Sequence, residues 1–182
     1  MNPLILNFIL FQIGWFACVL SGASNQAWIG VSIAGFIIAF HLFRAQQKQK
    51  ELWLISSAMV IGAIWDSLLV YQGWLSYTSG TLIAHTAPYW IIVMWGLFAT
   101  TLNLSLRWLK GKTQLAIVFG AIAGPLAYYA GQKLGAVQFV EPVPAFIALA
   151  IGWAIFTPLL LFLSSRFNGY QITEHRSPSW TG

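Results

Sequence analysis

One carboxylate in this chain sits where a carboxylate is costly. Asp66 lies within the apolar run Ile64-Trp65-Asp66-Ser67-Leu68-Leu69-Val70, and the 182-residue sequence has four acidic residues in all. At the centre of a membrane-spanning helix such a group costs roughly 2.5–3.5 kcal/mol on insertion scales. A carboxylate kept there is a candidate general acid or base, a proton or cation site, or a hydrogen-bonding anchor between helices. One helical turn from it lie Gly62, Ala63, Leu69 and Val70. The small pair permits close approach by another helix, so Asp66 is expected to face a neighbour rather than lipid.

The segment 115–135 offers the matching face. Ala116, Gly120 and Gly124 recur at helical spacing, followed by Ala127, Gly131 and Gly135. Tyr128 shares that stripe at a comparable depth, and a hydrogen bond from its hydroxyl to Asp66 is expected. Lys133, the obvious counter-ion, shares the face of Tyr129, nearly opposite the stripe. It is expected to extend toward the lipid headgroups, leaving Asp66 without a full counter-charge. Trp65 joins Asp66 and Tyr128 as a candidate functional residue. With Trp15, Trp95 and Trp153 it serves either as packing or as a wall for a flat or isoprenoid-like ligand.

A second polar set comprises Asn7, His41, Asn103 and Arg107. It reads either as interhelical glue, at about 0.6 kcal/mol per hydrogen bond, or as a pocket for an anionic headgroup on the cytoplasmic side.

The elements that must position these groups are apolar segments of spanning length, roughly 4–20, 27–43, 52–71, 89–106, 115–135 and 143–165. Hydrophobic residues make up 58% of the chain and charged residues 7%, far below the roughly 25% charged residues of a soluble domain. Lipid offers no partner to backbone amides, so the segments must be helices. The fold expected is all-α: a polytopic bundle of six transmembrane helices. Of the nine Lys and Arg, all but Lys133 fall in the links 44–51 and 107–112 or after the sixth segment. The positive-inside rule then places both termini and these links in the cytoplasm. Measured from Leu52, Asp66 lies about 21 Å along a hydrocarbon core of about 30 Å, in the outer half. Residues 1–167 are read as one domain and 168–182 as a flexible cytoplasmic tail. No internal repeat stands out between the halves.

The net charge of +5 is explained by topology, so no nucleic-acid partner is expected. Cys18 is the single cysteine, and the His and Cys spacing matches no metal site, so no metal and no cofactor is expected. A phosphate-binding glycine loop, a nucleophile elbow and a zinc-protease motif are all missing from the sequence, which leans against an enzyme.

Several segments carry a resemblance together: Trp65-Asp66-Ser67-Leu68-Leu69, Pro88-Tyr89-Trp90, Met94-Trp95-Gly96-Leu97-Phe98, and Gly124-Pro125-Leu126-Ala127-Tyr128-Tyr129-Ala130-Gly131. Over nearly its whole length the chain resembles a bacterial inner-membrane family, domain of unknown function number twenty-eight seventy-eight. The resemblance implies a multi-pass protein of the bacterial inner membrane. It also implies a lipid-linked setting, since family members often accompany genes for lipid modification, and it gives no residue a role. Three functions stay open: a lipid-associated protein with a pocket near Asp66, a small proton- or cation-coupled transporter, and a structural subunit. The partners expected are membrane lipid and a second membrane protein or another copy of the chain.

Overall fold

The chain is all-α apart from one short ladder, in a computed structural model that describes residues 2–170. Six helices follow one another: α1 (Pro3–Ala23), α2 (Ala27–Arg44), α3 (Lys48–Tyr71), α4 (Tyr89–Leu102), α5 (Thr113–Lys133) and α6 (Pro142–Arg166). Two strands, β1 (Leu75–Tyr77) and β2 (Val137–Phe139), follow α3 and α5. Five of the helices are long and apolar enough to cross a membrane, and α4 is the shorter one. Large apolar side chains such as Phe36, Ile64 and Ile155 point outward. Such an exterior suits lipid rather than water, and the protein is a polytopic membrane protein.

α4 departs from the expected span over 89–106. It stops after 14 residues, about 21 Å. The Thr100 and Thr101 hydroxyls donate to the carbonyls of Leu97 and Phe98, a local bonding that weakens a helix. Asn103 caps the end and turns its side chain into a polar cluster beyond it. A 3₁₀ turn, Arg107–Leu109, then leads into the next helix. Trp90, Trp95, Leu97, Thr100 and Leu102 of α4 are buried, because the other helices wrap it.

The ladder was not anticipated. α3 and α5 end in the same way. Trp74 N donates to Leu69 O (3.0 Å) and Gly73 N to Val70 O (2.9 Å); Ala136 N donates to Gly131 O (3.0 Å) and Gly135 N to Gln132 O (3.0 Å). Gly73 and Gly135 take φ of 69° and 86°, the left-handed conformation that this helix stop requires and that glycine adopts without strain. Each stop launches a strand, and the strands pair antiparallel with Ser76 opposite Gln138. Strands of three residues are too short to show an alternating pattern in sequence.

These parallels belong to a repeat within the last four helices, which a comparison of the two halves does not address. Asp66 and Tyr128 are 62 residues apart, and the same offset relates Leu54 to Ala116, Ala58 to Gly120, Gly62 to Gly124, Gly73 to Gly135 and Ser76 to Gln138. The helical members of both sets are buried. The packing repeats as well: Trp95 of α4 fills the notch at Gly62, and Trp153 of α6 fills the notch at Gly124. The two indoles then stack on each other, 4.6 Å between centroids and 14° from parallel. The unit α3–β1–α4 therefore recurs as α5–β2–α6. It escapes a comparison of sequence halves because it occupies the last four helices and is carried by small residues.

The notch at Gly62 receives α4 rather than α5, and the small stripe on α5 packs on α6. A Cβ at Gly62 would collide with the indole of Trp95. Gly62→Ala should therefore lower the midpoint of thermal unfolding in detergent by several degrees, whereas Gly35→Ala, which meets open space, should leave it unchanged.

Candidate functional site

α3 carries one buried stripe: Glu51, Leu54, Ile55, Ala58, Gly62, Asp66 and Leu69. It has a carboxylate near each end, and both acids have no exposed surface. Each carboxylate organises a cluster of polar groups.

At the end closed by the ladder, Asp66 Oδ1 accepts hydrogen bonds from Tyr77 Oη (2.6 Å) and Tyr128 Oη (2.7 Å), and Oδ2 accepts one from Trp95 Nε1 (2.7 Å). All three partners are donors, as an acceptor-only carboxylate requires. The expected Tyr128 bond is present. Tyr77 and Trp95 were not anticipated as partners. Tyr77 reaches Asp66 because β1 folds back onto β2, and Trp95 reaches it through the Gly62 notch. Among the described residues no cation pairs with Asp66. Lys133 Nζ lies over the Tyr129 ring, 5.1 Å from its centroid, on the face where sequence placed it. Trp65 does not bond the carboxylate. Its ring meets Phe156 edge-on at 5.1 Å, and its indole nitrogen is buried without a partner.

Beside this cluster runs a cavity of about 670 Å³, within the range of small-molecule sites. Phe11 and Trp15 of α1 form one wall and Phe119 of α5 the other, with Met94, Phe98 and Trp153 between them. Tyr77, Trp95 and Tyr128 also line it, so Asp66 lies one side chain behind its surface. Leu106 and Trp108 border its opposite end.

The second cluster forms at the end that carries the basic links. Glu51 Oε2 meets His41 Nε2 at 2.8 Å. Glu51 Oε1 accepts from Asn103 Nδ2 (2.6 Å) and from Gly169 N (2.8 Å). Lys110 Nζ donates to Asn103 Oδ1 and to Ser164 O. Burial pushes the Lys110 ammonium below its ordinary pKa, and the Glu51 carboxylate opposes that shift. Gln46 N and Gln47 N both donate to Gly169 O, and Tyr170 Oη donates to His41 O (2.6 Å). Bundle contacts thus continue past the expected boundary at Phe167 to Tyr170. The rest of the expected tail, 171–182, lies outside the described residues.

The four candidates at this end do not all share one pocket: Asn7 and His41 line a small one together, without Asn103 and Arg107. His41 and Asn103 meet at Glu51. Asn7 joins α1 to the end of α4, donating to Thr100 O (3.1 Å) and accepting from Ser105 Oγ (2.7 Å). Arg107 is half-buried, and its side chain makes no hydrogen bond to the described residues. Glu51 itself was read as the last residue of the basic link 44–51, with no role of its own. Its register with Asp66 on one helical face was the available signal. Among the described residues no three His, Cys, Asp or Glu side chains converge as metal ligands.

Four outcomes follow from this geometry. Tyr77→Phe and Tyr128→Phe should each cost about 1–3 kcal/mol in reversible unfolding. Asp66→Ala should cost more than either, because it strips the acceptor from all three donors. Glu51→Ala should release residues 168–170, read as faster proteolysis near the C-terminus with the helices intact. Tyr170 should titrate late: burial, with the Glu51 carboxylate adding to it, raises its hydroxyl from an ordinary value of 10.0 to about 12. A raised value contributes stability that is complete below pH 10.0 and is lost as the pH climbs toward about 12. The phenolate absorbance of wild type minus Tyr170→Phe should show that late step; a step near 10 would contradict the docked position.

Comparison with known proteins adds a family and nothing more specific. No curated protein and no solved structure matches the chain. A family model matches residues 4–159, and the chain accordingly belongs to the DUF2878 family, described as proteins of unknown function.

Proposed function

We propose that the protein is a lipid-binding component of the bacterial inner membrane, holding a lipid chain in the cavity between α1 and α5 with the polar end toward Tyr77 and Tyr128. The cavity carries this reading. Its walls are mainly aromatic and aliphatic, and in a bilayer such a space is filled by hydrocarbon. Along α5 it extends from Phe119 to Gly131, about 18 Å at 1.5 Å per residue, which suits an extended chain. The basic links and both termini lie in the cytoplasm, so the Asp66 cluster lies toward the outer leaflet. The site binds and presents a lipid, as an accessory subunit does. Asp66 fixes the tyrosines that frame its polar end.

Native mass spectrometry after purification in mild detergent tests this. Wild type should retain a lipid, and Ala123→Phe with Ala127→Phe, which fills the cavity away from Asp66, should lose at least most of it while melting normally. Well-folded wild type with no retained lipid would end the proposal.

A second reading rests on a different observation, the fully buried carboxylates at opposite ends of one face of α3. In a proton- or cation-coupled transporter these would be loading and release sites. Proteoliposomes should then show a pH-dependent flux that Asp66→Asn and Glu51→Gln each abolish; identical flux in wild type and both variants rules it out.

A further inference from the structure

We infer that the cavity selects a neutral lipid ending in a free hydroxyl, of the long-chain alcohol class, over lipids ending in phosphate or carboxylate. This rests on the lipid-binding reading above and names the chemistry of its polar end. The argument is an account of donors. The polar side chains that close the ladder end of the cavity are Tyr77, Trp90, Trp95 and Tyr128. A tyrosine hydroxyl has one proton to donate and two lone pairs to offer, and an indole has one N–H and no acceptor. The Tyr77 and Tyr128 protons both go to Asp66 Oδ1, and the Trp95 N–H goes to Oδ2. The Trp90 N–H goes to Ser79 O (2.9 Å), and Ser79 Oγ in turn donates to Gly22 O (2.6 Å). Trp153, stacked on Trp95, has its indole N–H buried without a partner and shut off from the cavity surface, and Gln12 of α1 is a further polar side chain of the lining.

The donors of these four side chains are therefore committed to the protein, and what the four leave to a ligand are the lone pairs of two phenolic oxygens. A polar group arriving there must bring its own proton. A hydroxyl does so and completes the bonding of a tyrosine oxygen. A phosphate or carboxylate finds only lone pairs, with the buried Asp66 carboxylate directly behind them, and a buried acceptor left without a donor is costly. Among the described residues no Lys, Arg or His side chain lines the cavity to offset that charge. The apolar walls favour a neutral hydroxyl over an ammonium, which would have to shed strongly bound water to enter.

The test uses the full chain in phosphatidylcholine vesicles. Four photoreactive probes of equal chain length end in a hydroxyl, a phosphate, an ammonium or a plain methyl, and crosslinked residues are identified by peptide mass spectrometry. The alcohol should label Phe11, Met94 and Phe119 about tenfold more than the phosphate, the equivalent of one hydrogen bond. In Tyr128→Phe that preference should shrink while labelling by the methyl-ended probe stays the same; the wild-type comparison decides the matter if this variant folds poorly. Equal labelling by alcohol and phosphate overturns the selectivity and leaves lipid binding standing. Stronger labelling by the ammonium shows that the site reads positive charge and also overturns it. If no probe labels these residues above the outward-facing Phe36 and Ile155, lipid binding falls as well.

Discussion

A carboxylate with no exposed surface and no counter-ion among the described residues has to be met by hydrogen-bond donors, and the architecture around Asp66 follows from that demand. The donors come from three separate elements: β1, α4 and α5. Each brings its own requirement. Trp95 reaches the carboxylate only because position 62 has no side chain. Tyr77 reaches it only because a helix stop at Gly73 sends the chain back as a strand. Tyr128 reaches it from α5, one turn beyond the small residues that meet α6. One acidic group thereby correlates the loop structure with the helix packing.

How far this could be read from sequence depended on whether a feature left a local mark. Helix positions did, since each spanning segment is a long apolar run with polar ends. The Tyr128–Asp66 bond did too, through spacing along two helical faces. So did the direction of Lys133. The ladder left almost no mark because its strands are too short for alternation. Glu51 was hidden by its neighbours: a residue beside Lys48 and Lys50 looks solvated until the turn of the helix carries it to the buried side. Trp95 and Tyr77 were visible as aromatics, but a tryptophan deep in a bundle and a tyrosine in a loop are each explained by packing or interfacial anchoring. Their role as donors depends on pairs of elements distant in sequence.

The two clusters on α3 differ in what surrounds them. Glu51 meets His41, backbone amide and amide side chain, with Lys110 one residue further out. It ties α2, α3, the end of α4 and the start of the tail into one knot near the basic links. Asp66 is framed by aromatic rings beside an apolar cavity. A carboxylate knotted into charge and backbone serves to hold elements in register, whereas one screened by two hydroxyls imposes a direction on those hydroxyls. That difference is why the cavity, and not the better-connected Glu51 cluster, is the more specific place in the molecule.

The recurrence of α3–β1–α4 as α5–β2–α6 sets Asp66 and Tyr128 at matching positions. Two faithful copies would put like against like. Two aspartates would repel across an apolar interior, and two tyrosines would have no acceptor-only group to share. The bond exists because the two elements carry unlike residues at that position. The chain behaves as an unlike pair fused into a single polypeptide, and its most distinctive contact is the place where the symmetry fails.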